Sequence, residues 1–131
     1  MSEAVIFELD GKAFETEIYD NIAPQTCRVL RSLRPIKGAV HHAMWSGPLC
    51  LMLFDLNNVP RENETTFFNT GDLLYHPYHK EIGIAYGPTQ FQEPTGPVYV
   101  TLIGRLLGDL SHLQKVGSRL QFTGERPLAI R

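Results

Sequence analysis

The side chains of this 131-residue chain that could do chemistry fall in a few short stretches. His41 and His42 are adjacent, and imidazole is the side chain whose charge changes near neutral pH, which suits it to general-base or ligand work. On a strand, successive residues point to opposite faces, so the two rings cannot readily hold one metal ion together. One of them then faces the core or a pocket, and the other faces outward. His76-Pro77-Tyr78-His79 is a second histidine pair, and Glu81 is the nearest carboxylate to it in the chain. Glu62 and Asn63 sit in a polar stretch, residues 57–65, which reads as a loop able to present them to a polar ligand or simply to solvent. In residues 81–87, period two puts Glu81, Gly83 and Ala85 on one face and Ile82, Ile84 and Tyr86 on the other. Small residues on a shared face leave room either for a ligand or for close packing by another element. No Gly-rich phosphate loop, nucleophile elbow or zinc-protease helix motif is present.

These residues need a frame, and the dominant period is two. Residues 5–9 are β-branched and aromatic, Asp10-Gly11 follows, and residues 12–19 alternate Phe14, Thr16 and Ile18 against Glu15 and Glu17. Asp-Gly between two such runs predicts a tight hairpin. Residues 20–33 change period: Pro24 suits a first helical turn, Cys27, Leu30 and Leu33 recur at helical spacing, and Pro35 ends the run. Short strands are then expected at residues 38–45, 49–56, 66–68, 73–76, 82–86 and 98–104, with closing strands at 119–123 and 127–130. Residues 87–97 read as a Gly/Pro/Gln loop, and residues 110–116 are open to a second short helix closed by Gly117. About eight short strands in one domain (1–131) imply a mainly β fold closed into a barrel, because closure removes exposed edges.

Composition bounds the partners. Twelve basic and fourteen acidic residues leave a net charge of −2, which favours neither nucleic acid nor an anionic membrane surface. The longest apolar run, residues 49–54, falls far short of the ~20 residues a membrane helix needs. No basic and apolar leader opens the chain, so a soluble cytoplasmic protein is expected. Cys27 and Cys50 lack CxxC spacing and read as buried, reduced thiols.

The order of these motifs resembles the cyclophilin fold: a hairpin, the segment Asp20-Asn21-Ile22-Ala23-Pro24-Gln25-Thr26 opening a capping helix, then a histidine-bearing strand. His42-Ala43-Met44-Trp45-Ser46-Gly47, Glu62-Asn63-Glu64-Thr65, Gly71-Asp72-Leu73-Leu74-Tyr75 and residues 81–89 are similar to the small cyclophilin-like barrels of bacteria and archaea, a largely uncharacterised group. The resemblance implies a closed cyclophilin-like barrel with one capping helix. Isomerases of that fold use an Arg on the strand after the helix and a Gln-Gly-Gly-Asp-Phe-like run, and this chain has neither. The uncatalysed X–Pro barrier is ~18–20 kcal/mol, and lowering it needs a donor aimed at the twisted amide. The resemblance therefore implies a barrel without prolyl isomerase activity. The spacing from Gly71 to Pro77 also resembles the second motif of the metal-binding cupins, but the later His and the His-x-His motif are missing. No metal or cofactor is expected.

These readings lead to a pocket at one barrel end lined by His42, Trp45, Ser46, Glu62, Asn63, Glu81 and Tyr86, with His42 or Glu62 as the general base if a reaction occurs. Its ligand would be a small polar metabolite of carboxylate or amide type. Amides are favoured by the resemblance, since related domains occur in enzymes acting on urea-derived and lactam substrates. Two other readings are an interaction module that forms a homo-oligomer through Trp45, Phe67, Phe68 or Phe91, and a cupin-like metal barrel.

Overall fold

A computed structural model describes residues 3–131; Met1 and Ser2, at the chain start read above for a leader, lie outside the described residues. In chain order the elements are β1 (Ile6–Leu9), β2 (Lys12–Ile18), α1 (Pro24–Leu33), β3 (Ile36–His42), β4 (Leu49–Leu53), β5 (Glu64–Thr65) and β6 (Phe67–Phe68). They continue as β7 (Asp72–His76), β8 (Glu81–Ala85), β9 (Thr89–Gln90), β10 (Gln92–Glu93), β11 (Gly96–Pro97), β12 (Val100–Leu106), α2 (Ser111–Thr123) and β13 (Arg126–Ile130).

Asp10 and Gly11 both take positive φ, 47° and 87°, as a type I′ turn requires, and Leu9 pairs with Lys12 across it. Eight antiparallel strands follow the order β2-β1-β13-β3-β4-β8-β7-β12, and β12 pairs back onto β2 to close the barrel. β5 is added along the remaining length of β12. The expected mainly β, eight-stranded barrel is therefore present, with two helices. No helix among the described residues is long and apolar enough to cross a membrane.

α1 starts at Pro24 and buries Thr26, Cys27 and Leu30. Arg31 on its outer side forks onto both oxygens of Asp20 at 2.8 and 2.9 Å, tying the helix to the segment before it. α2 is longer than the sequence pattern suggested. It runs through Gly117, and residues 119–123 are its last turns, not a closing strand. Leu113, Val116, Gly117 and Leu120 form one buried stripe at helical spacing. Gly117 is in that stripe because the Tyr86 ring lies against it: a Cβ there would be 2.3 Å from the ring. The glycine marks a close approach, not a helix end.

Strand alternation divides the apolar residues into two cores. The barrel interior holds Phe7, Leu9, Val40, Cys50, Met52, Leu73, Tyr75, Ile82, Ile84, Ile103, Leu128 and Ile130. The alternate residues of β4, β7 and β8 point outward, and many of these are also apolar. Leu49, Leu51, Leu74 and Ala85 pack there with Phe68, Phe91 and Val100 under the chain from Thr89 to Pro97. On this face Leu74 and Leu51 occupy the space that a side chain at Gly83 would need. Of the two readings for the small residues of β8, close packing is the one realised at Gly83. Cys27 and Cys50 are free and buried, and burial pushes both thiols up to about 12.

Overpacking of a core costs about 1–3 kcal/mol, more than the ~1 kcal/mol that alanine gains over glycine inside a helix. Gly117→Ala is therefore expected to lower the urea midpoint of unfolding, and a midpoint at or above that of the wild type would contradict the Tyr86 contact.

Candidate functional site

The end of β3 and the segment after it, β4, the β7–β8 turn, the start of β8 and the chain from Phe91 to Pro94 surround a cavity of about 270 Å³. Its wall is formed by His41, His42, Met44, Trp45, Ser46, Leu51, His79, Glu81, Phe91, Gln92 and Glu93, with Ala43 and Pro94. Leu51 and Phe91 belong to the outer core, so the cavity lies on the outside of the barrel wall. The sequence reading places the pocket at one barrel end, whereas this cavity lies outside the wall, and the barrel interior is occupied by the apolar core.

The seven predicted site residues separate into three groups. Trp45, Ser46 and Glu81 reach the cavity, and His42 borders it as well. Trp45 is 56% exposed at its lip beside Met44. Ser46 is 6% exposed and bonded to the roof: its hydroxyl donates to the Gln92 carbonyl at 3.1 Å, and the Gln92 N–H donates back at 2.9 Å. The Thr89 hydroxyl donates to the Ser46 carbonyl. Ser46 thus fixes the hairpin that closes the cavity.

His42 and Tyr86 form the second group. Both have the parity of the barrel interior, and Nε2 of His42 lies 2.6 Å from the Tyr86 hydroxyl. Nδ1 faces the Ala43 carbonyl at 2.7 Å, so it carries a proton and donates, leaving Nε2 to accept from Tyr86. Burial, and behind it Cys50, raises the Tyr86 phenol and keeps it a donor. This imidazole is engaged on both nitrogens and turned beneath α2.

Glu62 and Asn63 form the third. Glu62 accepts from the Thr26 N–H at 2.8 Å, the Thr26 hydroxyl at 2.9 Å and the Gln25 N–H at 3.2 Å. α1 has no side-chain cap of its own and no acidic residue in its first turn. A carboxylate from a distant loop therefore satisfies its free N–H groups and faces the positive end of its dipole. Asn63 donates to the Leu102 carbonyl at 3.0 Å. Neither residue lines the cavity, so the expected seven-residue pocket is not assembled. The reason is that Glu62 and Asn63 are held at α1 and β12.

The cavity instead gathers residues that spacing alone did not connect. His41 points outward, its Nε2 3.9 Å from Glu81. The other oxygen of Glu81 lies 3.7 Å from Nδ1 of His79, and Glu93 reaches the same Nδ1 at 3.4 Å. Glu93 also accepts from Nε2 of His76 at 3.0 Å. His76 is 2% exposed, edge-on to Phe91 at 5.4 Å and stacked on His79 at 4.3 Å. Its Nδ1 accepts from the His79 backbone N–H at 3.3 Å, which leaves the proton on Nε2. Burial lowers the pKa of His76, and the hydrogen bond it donates to Glu93 opposes that shift. Sequence spacing does not bring these groups together, yet His76, His79 and Glu93 place one potential ligand atom each within 4.8 Å of one another. Their third member lies in the loop that the sequence reading left without structure. The signal for it was the alternation Phe91-Gln92-Glu93, which puts Glu93 on the same side as the buried Phe91.

Of the expected interaction anchors, Phe68 and Phe91 are core residues, while Trp45 and Phe67 are exposed. Loss of a helix N-cap costs about 0.5–2 kcal/mol. Glu62→Ala is accordingly expected to destabilise the fold by about that amount in chemical denaturation; unchanged stability would refute the capping role.

None of the curated, characterised proteins matches the chain. Among solved structures, McbB in complex with tryptophan is similar, with a TM-score of 0.76 at 15% identity over 97% of this chain and 44% of McbB. The chain thus spans less than half the length of McbB. The hypothetical protein AF2241 from Archaeoglobus fulgidus is similar with a TM-score of 0.64 at 18% identity, over 98% of this chain and 92% of that one. A cyclophilin-type peptidyl-prolyl cis-trans isomerase from Cryptosporidium parvum, solved with an alanine–proline dipeptide, gives 0.62 at 13% identity, over 98% and 97%. These likenesses show a cyclophilin-like fold. The family model described as protein of unknown function (DUF3830) matches residues 5–130, and the chain belongs to that family.

Proposed function

We propose that this protein binds a small amide-type metabolite in the cavity on the outer wall of the barrel. The observation that carries this reading is the composition of that cavity: Glu81, Glu93, Gln92 and the imidazoles of His41 and His79 face an apolar side made by Trp45, Met44 and Phe91. No Lys or Arg lines it among the described residues. An amide has N–H donors for the two carboxylates and a carbonyl that can accept from Gln92 or an imidazole. A free carboxylate would meet Glu81 and Glu93 with like charge and no fixed cation to offset it. The amide is therefore the better fit of the two ligand types weighed from the sequence. McbB, which is similar to this chain over 44% of its own length, has been solved in complex with tryptophan, a small molecule with donor groups and an aromatic part.

Prolyl isomerisation is not part of this reading. The strand that follows α1 carries His41 and His42 where isomerases of this fold have Arg, and the His42 ring is already bonded at both nitrogens.

A thermal-shift screen of primary amides, lactams and ureas against size-matched carboxylates, all in EDTA, tests the reading. Amides are expected to raise the melting temperature, and Glu81→Gln and Trp45→Ala to reduce that shift, with Glu62→Gln keeping it. The proposal fails if no amide stabilises the protein or if the carboxylates do so better.

A further inference from the structure

We infer that His76, His79 and Glu93 form a site for one divalent ion of the zinc type at the edge of the cavity. Two ligand atoms about 2.1 Å from a tetrahedral ion are about 3.4 Å apart. Here Glu93 Oε2 lies 3.0 Å from His76 Nε2 and 3.4 Å from His79 Nδ1. Both distances from the carboxylate are thus near that of a coordination shell, and all three donor atoms lie within 4.8 Å of one another. Two imidazoles and one carboxylate suit Zn2+, Co2+ or Ni2+ better than Mg2+ or Ca2+, which prefer all-oxygen shells.

The supports differ in stiffness, and that is how such a site can both exist and load. His76 is buried, on β7, with Phe91 and Tyr78 edge-on to its ring at 5.4 and 6.2 Å. Glu93 is carried by β10, whose other residue, Gln92, is pinned to Ser46. His79 is on the exposed turn between β7 and β8, with 56% of its side chain accessible. Its ring is stacked on His76 with only 14° between the planes. Rotation of the exposed ring brings its Nδ1 onto the ion, while His76 stays in place. Loading also moves one proton: the ion takes the place of the proton on His76 Nε2, and Nδ1 takes that proton up. The long 3.3 Å contact from the His79 N–H is then given up to solvent. No proton is released in this exchange.

Glu81 extends the cluster. Its oxygens lie 3.7 Å from His79 Nδ1 and 3.9 Å from His41 Nε2, so it can orient His79 or complete the shell. Three of the five histidines of the chain thus meet two carboxylates on one patch of the outer wall. Three protein ligands with a remaining position facing a cavity is the arrangement of an open site, able to take a ligand atom directly. An ion there would also give the cavity wall the positive charge it otherwise lacks.

The inference does not rest on the amide reading, and its test uses no organic ligand. Protein stripped with EDTA and exchanged into plain buffer is titrated calorimetrically with Zn2+, and separately with Co2+ while visible absorption is followed. One ion per chain with submillimolar affinity is expected, with Co2+ developing ligand-field bands. His79→Ala and Glu93→Gln should each weaken binding by at least about tenfold. His112→Gln, a histidine on α2 outside the cavity, should bind as the wild type does. His79→Gln replaces the alanine variant if circular dichroism shows the latter unfolded. Wild-type affinity weaker than millimolar, or affinity that survives either substitution, overturns the site.

Discussion

Three neighbouring strands, β4, β7 and β8, carry apolar side chains on both faces, and a barrel can bury only one of them in its interior. Leu49, Leu51, Leu74 and Ala85 face outward and must be covered from outside. Withdrawing a Leu or Phe side chain from water contributes about 1.5–3 kcal/mol. The chain from Thr89 to Pro97 does the covering, with Phe91 as its apolar contact. It is held down by backbone bonds from Phe91 to Thr66 and by Ser46 bonding Gln92 in both directions. Where this roof meets the ends of β3 and β8, the contact is incomplete, and the cavity is the gap that remains. Its polar residues are the ones at the border of the outer core: His41, His79, Glu81 and Glu93.

The same division into faces explains why residues close in sequence do different work. His41 and His42 are neighbours on β3, yet one joins the outer cluster and the other locks Tyr86 beneath α2. The packing of Tyr86 against Gly117 then brings α2 down onto the barrel. Glu62, the carboxylate that looked most available from its polar loop, is bound to the start of a helix that has no cap of its own. Conserving a polar group's hydrogen bonds on burial is costly to forgo, and a helix end offers several donors at once. A carboxylate free of such duties is the better candidate for a ligand, and among the residues weighed here that is Glu81.

Much of the frame was legible because its signals are local. Asp10-Gly11 dictates a turn, Pro24 and the Cys27–Leu30–Leu33 spacing dictate a helix, and β-branched alternation marks most barrel strands. Two features were misread for identifiable reasons. Gly117 reads locally as a stop, although its place in the Leu113–Val116–Leu120 stripe is the mark of a glycine admitting a neighbour's ring. Residues 87–97 read as a Gly/Pro/Gln loop because those residues outweigh a three-residue alternation. Trp45, Ser46, Glu81 and His42 line one cavity, on the outer wall and not at a barrel end. Glu62, Asn63 and Tyr86 lie outside that lining and His42 has both ring nitrogens bonded, since which polar group a helix end or a buried phenol recruits is set by tertiary contacts between residues 36 to 44 positions apart. The His76–Glu93 contact joins residues 17 positions apart, and no spacing rule reaches it.

The account places the working surface on the outside of the barrel wall, under the Thr89–Pro97 roof. Amide chemical-shift mapping by 1H–15N NMR during titration with a stabilising primary amide tests that placement directly. The account predicts perturbations concentrated at His41, Trp45, His79, Gln92 and Glu93, with Thr26, Glu62 and α2 unmoved. Perturbations centred on α1 and Glu62, or on the interior residues around His42, Tyr86 and Gly117, would contradict it.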